Sequence, residues 1–224
     1  MREESRHPLD LAFGCALALV SVIDFYTARA LSLLAYVEPH LVKVVQALEV
    51  GMSSVCAVGA AMVIATWPLL ARPAHRRLMF PVLTLQTLGL ALDVGGLLVS
   101  TLFGKRANPI YLLLEAALVH ISTVLLFATW YAAIDHHRQV ARARGEATHQ
   151  RFGFPQHSAR YPGYEAWVPG IVDYLTFAFT TSSSLGPAEA YPLAKPAKLL
   201  VTLQVSLSLV ILLVLAARAI GLIG

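Results

Sequence analysis

Apolar positions along this chain come in long runs, not in the alternation of a half-buried strand or the one-sided stripe of a soluble helix. A helix needs about 20 residues to cross a hydrocarbon core. Five runs are long enough: residues 11–37, interrupted by Asp24 and Arg29; 44–70, charge-free from Val50 onward; 78–103, with Asp93; 109–134, with Glu115 and His120; and 199–223. A sixth apolar segment, 166–179, ends where polarity begins at Thr180 and is too short to cross. The pattern predicts an all-α integral membrane bundle of five transmembrane helices plus one re-entrant helix. Irregular backbone at membrane depth is tolerated only where protein buries it or water reaches it.

The one long polar stretch divides the chain. Residues 1–135 form a four-helix transmembrane region, 136–165 a basic linker, and 166–224 a loop and final-helix module. The polar stretch opens with Asp135 at the end of the fourth span, continues His136-His137-Arg138 and carries Arg142, Arg144, Arg151 and Arg160. Its first part reads as the fourth helix continuing past the membrane. Phe152-Gly-Phe-Pro155 and Tyr161-Pro-Gly-Tyr164 give the second part the turn character of a surface loop.

Composition agrees with the pattern and excludes a soluble domain: 57% of residues are hydrophobic, 13% charged, and mean hydropathy is +0.66. Glu3, Glu4 and Asp10 argue against a secretion signal. Cys15 and Cys56 both fall inside predicted spans and read as small apolar packers with no disulfide. No phosphate-binding loop, dinucleotide fingerprint or zinc spacing occurs, so neither an enzyme, a cofactor nor a metal site is expected. His136 and His137 are adjacent and point to different faces of a helix; with His149 and His157 they read as part of a solvated basic linker. The net charge of +4 speaks for a membrane surface, not for nucleic acid.

The most informative segment is 173–192. It reads as an acid at a helix start (Asp173), aromatics along that helix (Phe177), the hydroxyl run Thr181-Ser182-Ser183-Ser184, then Leu185-Gly186-Pro187-Ala188-Glu189 and Pro192, before the final apolar run. In spacing this resembles the pore helix, filter and inner helix of tetrameric potassium channels, over about the last quarter of the chain. It is also similar to uncharacterised bacterial membrane proteins with four helices ahead of a degenerate pore loop. The resemblance implies a re-entrant pore helix, a filter spanning Thr181 to Glu189 and a homotetramer around the last helix.

Two departures change what such a filter could do. Pro187 stands where the potassium filter has tyrosine, and Ala188 where it has its second glycine. Successive inward carbonyls need residues that tolerate positive φ, whereas proline holds φ near −65°. A wider or shorter filter with weak selectivity is expected, with Glu189 forming an acidic ring at its mouth. Thr202 and Ser206 lie four apart on one face of the last helix, either lining the pore or packing against a neighbouring helix.

Ionisable residues at membrane depth are functional candidates by default. Asp24 and Arg29 lie on the first helix, Asp93 on the third, and Glu115 and His120 on the fourth. They suit either an interhelical acid–arginine network or a proton relay through Asp93, Glu115 and His120. A haem pair is not expected, because only His120 is clearly mid-span.

Orientation follows from basic residues beside the spans. With four spans before the loop, Arg2, Arg6, Arg72, Arg76, Arg77, Arg138, Arg142, Arg144, Arg151, Arg160, Lys195 and Lys198 share the loop side. Arg29, Lys43, Lys105, Arg106 and Arg218 take the other. The loop side is then cytoplasmic, whereas potassium channels place the filter outside. Either the pore is inverted, the span count differs, or the resemblance is partial.

The expectation is an ion channel for monovalent cations in a bacterial inner membrane. The alternatives are a proton-coupled or small-solute transporter using the buried acids, or a non-conducting membrane scaffold. Partners are the lipid bilayer and further copies of the chain.

Overall fold

The computed structural model describes residues 8–31, 39–67, 72–103, 109–157, 163–164, 166–187 and 190–223. They form six helices: α1 (Pro8–Leu31), α2 (Pro39–Thr66), α3 (Arg72–Phe103), α4 (Pro109–Ala143), α5 (Ile171–Ser183) and α6 (Lys195–Ile223). Proline opens α1, α2 and α4 and stands second in α3 and α6. Its missing N–H costs nothing in a first turn, and its fixed φ suits the helix.

Four stretches are long and apolar enough to cross a membrane: Ala47–Thr66, Ala74–Leu98, Leu113–Ala143 and Lys195–Ala217. A shorter apolar stretch, Leu11–Thr27, lies in α1. The chain is thus an all-α membrane protein with four long apolar helices. Pro81 lies inside α3 without ending it. As expected, α4 runs well past residue 134 into the polar linker.

Helix α4 is the centre of the bundle. It packs against α1, α3, α5 and α6, while α2 lies against α1 and α3. Its Tyr131 sits in a buried aromatic cluster, with ring centroids 5.0 Å from Phe152 and 4.8 Å from Phe177. Phe154 adds edge contacts to Tyr174 at 5.9 Å and Trp167 at 5.6 Å. All of these contacts except the tilted Tyr131–Phe177 pair are edge-to-face, a geometry that contributes beyond simple area burial.

That cluster shows that Phe152 and Phe154 of the linker are core, not surface, whereas Tyr164 is exposed as a surface loop implies. Phe152 and Gly153 form β1, which pairs antiparallel with β2 (Tyr191–Pro192), Phe152 opposite Pro192. Gly153 lets the exposed Leu193 side chain lie close to the strand: a Cβ there would come within 3.3 Å of its Cδ1. A single 3-10 turn follows at Pro155–His157. His157 is held well below its ordinary pKa, at about 4, by burial and then by the Arg142 charge, so it stays neutral at physiological pH.

Asp135 ties the linker down. Its Oδ1 accepts the Arg151 and Phe152 backbone N–H groups at 2.8 and 3.3 Å, and its Oδ2 accepts Gln139 Nε2 at 2.7 Å and the Tyr174 hydroxyl at 3.3 Å. One buried carboxylate therefore joins α4, β1 and α5.

Helix α5 starts as its sequence implies. Asp173 Oδ2 accepts the Gly170 N–H at 2.7 Å, a first-turn acid closing the helix start. The end is unusual. Leu185 takes φ +54°, the left-handed conformation that favours glycine, while Gly186 is not among the positive-φ glycines of the described residues. Leu185→Gly is expected to raise stability by about 0.5–1 kcal/mol by removing that strain. Unfolding by sodium dodecyl sulfate in mixed micelles measures it, and a loss would mean the leucine side chain contributes more than its backbone costs.

Candidate functional site

The buried acids come together. Asp24 of α1, Glu49 of α2, Asp93 of α3 and Glu115 of α4 are 3%, 8%, 5% and 5% exposed. Asp93 lies within electrostatic reach of the other three, and Glu115 within reach of Glu49. Four helices each contribute one buried carboxyl, and three of these, Asp24, Glu49 and Asp93, line one cavity.

Asp24 and Asp93 line the same small cavity, close enough for their carboxyls to interact. Ionised carboxylates are acceptors only, so such an interaction becomes a hydrogen bond when one carries a proton. Neither Asp24 oxygen accepts from any N–H or hydroxyl among the described residues, and Glu115 Oε1 is likewise unpartnered. The two aspartates and Glu49 line a small cavity together with Ser53 and Cys56; its volume is about 10 Å³, room for roughly one water molecule. Among the described residues no three acids, histidines or cysteines are placed to hold one metal ion. Paired carboxyls around a small void suit a proton better than a coordinated cation.

The polar line continues inward. One turn back on α1 is Ser21, and two turns back on α3 is Gln86, both buried. Gln86 Nε2 donates to Ser21 Oγ and to the Leu17 carbonyl, each at 2.9 Å. Helix geometry sets the depth. Asp93 is seventeen residues beyond Arg76 on α3, roughly 26 Å along the axis, so the acids lie toward the end of the bundle opposite the basic residues.

The other sequence candidates distribute differently. His120 is half-buried with Nδ1 unpartnered and does not line the acid cavity. Arg29 lies in α1, but its side chain is outside the described residues. Within the hydroxyl run, Thr181 and Ser182 are fully buried inside the chain, whereas Ser183, Ser184, Leu185 and Pro187 are exposed. Ser182 Oγ accepts Gln204 Nε2 from α6 at 2.6 Å, so it serves contact between α5 and α6. The same amide donates to the Ala178 carbonyl at 2.7 Å, and Gln204 Oε1 accepts the Tyr131 hydroxyl. Gly186 is partly exposed, and a Cβ there would meet nothing within 4 Å, so the glycine is not forced by space. Ala188 and Glu189 lie outside the described residues. Thr202 and Ser206 are exposed on one face of α6.

Sequence reading passed over Glu49, Ser21 and Gln86. Glu49 stands immediately before the charge-free stretch of its span, and that position was the available signal. Serine and glutamine in a membrane helix are too common as packing residues to stand out singly.

Comparison with protein-family models, curated proteins and solved structures returns no match. What these observations define is a multi-helix membrane protein with a buried carboxyl cluster.

Proposed function

We propose that this protein is a proton-coupled membrane transporter in which the Asp24–Asp93 pair takes up and releases the coupling proton. The observation that carries the reading is the unpartnered Asp24 carboxyl, which shares a small polar-lined cavity with Asp93 and Glu49. Buried acids in membrane segments mark ion pathways and proton relays. Glu49 and Glu115 supply further carboxyls at the same end, and Ser21 and Gln86 extend the line toward the bundle centre. The transported partner of the proton is a small solute or monovalent cation.

Purified protein in liposomes carrying an internal pH dye tests this. A potassium diffusion potential should drive proton entry above that of protein-free liposomes, and Asp24→Asn or Asp93→Asn should reduce it at least tenfold, as expected when a relay group is removed. Variants that keep wild-type flux would sink the assignment.

A cation pore around α6 is the second reading, favoured by one observation. Leu199, Thr202, Ser206, Leu209 and Leu213 form an exposed stripe that carries two hydroxyls on a face this single chain leaves uncovered. In that reading a homotetramer buries the stripe, with exposed Ser183 and Ser184 nearby in sequence at the end of α5. Use of Ser182 by Gln204 weighs against the full hydroxyl run facing an ion. Planar-bilayer recording separates the two: unitary current steps unaffected by Asp24→Asn belong to a pore.

A further inference from the structure

We propose that the small cavity between α1, α2 and α3 binds one water molecule, which carries the proton between the Asp24–Asp93 pair and Glu49; this rests on the transport role given to that pair. Asp24 of α1, Glu49 and Ser53 of α2 and Asp93 of α3 all line the cavity. Its volume of about 10 Å³ matches a single water. A buried water needs about two to four polar partners, and these four side chains supply them.

Asp24 is the group that most needs such a ligand. It is 3% exposed, and neither of its carboxyl oxygens accepts from an N–H or hydroxyl among the described residues. A buried polar group left in that state is costly. A water in the cavity that Asp24 lines is a donor that relieves the cost. The same water gives the proton a way out of the pair. Glu49 stands on a different helix and lies within electrostatic reach of Asp93. A proton passes between two groups only within hydrogen-bond reach or through a bridging water.

The transfer involves O–H bonds alone. The Asp24 or Asp93 carboxyl gives its proton to the water oxygen, and the water gives one of its own protons to the Glu49 carboxylate. One O–H bond breaks at each donor, one forms at each acceptor, and the water is regenerated.

Gly89 of α3 offers a way to close the cavity without breaking the fold. It is buried and lines the cavity, and a Cβ there would sit 3.8 Å from Met52 Cγ and 4.0 Å from Cys56 Sγ, two other lining residues. Those are ordinary contact distances, so alanine adds a methyl group where the water would lie and clashes with nothing. It also replaces glycine in a helix interior, which favours the helix. Gly95 is the matching control. It lies on the same helix, is exposed and outside the cavity, and a Cβ there would meet nothing within 4 Å.

Infrared difference spectra of the full-length protein, recorded across a pH step in ordinary and in heavy-oxygen water, read the site directly. Wild type should show an O–H stretching band that moves with the heavier oxygen. Gly89→Ala should lose that band, unfold no earlier than wild type, and cut proton entry into liposomes about tenfold. Gly95→Ala should match wild type in band and flux. No oxygen-sensitive band in wild type would overturn the site whatever the variants do. A band that survives Gly89→Ala, or wild-type flux in that variant, would overturn the relay. If Asp24→Asn still lowers flux in that case, the transport reading stands without the water. Wild-type flux in Asp24→Asn, with the band lost in Gly89→Ala, would sink the transport reading and the relay together and leave a bound water only.

Discussion

Replacing Asp135 by alanine should cost about 3–5 kcal/mol, the largest single loss of stability expected in this chain. The side chain is 0% exposed and accepts four hydrogen bonds, from Gln139, Tyr174 and the Arg151 and Phe152 backbone. Alanine strands all four donors where water cannot replace the lost acceptor, and an orphaned buried donor costs its full desolvation. The loss should be selective in space. The β1–β2 pairing and the start of α5 should gain hydrogen-exchange rate before α2 and α3 do, since only the former are tied to Asp135. Asp135→Asn keeps an acceptor oxygen but puts an amide donor against two N–H groups or against Gln139 and Tyr174, so an intermediate loss is expected. A variant that unfolds in mixed micelles at the wild-type midpoint would show that the aromatic cluster alone anchors the linker.

The second large effect is at Gln204. Gln204→Leu keeps the approximate volume but removes the acceptor of the Tyr131 hydroxyl and the donor to Ser182 and Ala178. About 2–3 kcal/mol should be lost, because Tyr131 and Ser182 are buried and leave two polar groups unsatisfied. Helix α5 has only thirteen residues and is too short to be stable alone, so its order depends on such contacts. Its amides should therefore exchange faster in the variant while those of α4 stay protected. Ser182→Ala restores the match on one side, so the double variant with Gln204→Leu should lose less than the sum of the two single losses. Strict additivity would show that the two side chains do not act together.

These two residues show how unevenly the fold could be read in advance. Asp135 was legible only as the polar end of a span, and Gln204 only as a polar residue between Thr202 and Ser206 on the last helix. Nothing in their local sequence shows that each is a hub joining three segments. The linker aromatics were misleading for a related reason. Phe152 and Phe154 sit among glycine, proline and arginine, as in a surface loop, yet their burial depends on Tyr131 and Phe177, more than twenty residues away on either side. The hydroxyl run divided in the same way. Spacing makes Thr181 to Ser184 look like one unit, but helix rotation turns Thr181 and Ser182 inward and Ser183 and Ser184 outward.

What the sequence determined by itself was what local chemistry can decide. Runs of apolar residues longer than a bilayer is thick specify helices, because an unpaired backbone in hydrocarbon is too costly for any other form. Prolines in first turns and Asp173 three residues past Gly170 mark where helices begin. Clustered arginines identify the basic end. Only the tertiary structure decided which faces meet. A 3.6-residue period puts Asp24, Glu49, Asp93 and Glu115 each on some face of its own helix, but their convergence depends on how four helices are rotated and shifted against one another. That choice is made by the packing of side chains far apart in the chain, Phe13 against Tyr174 and Gly59 against Val82 among them. The acid cluster and its cavity are both products of that packing.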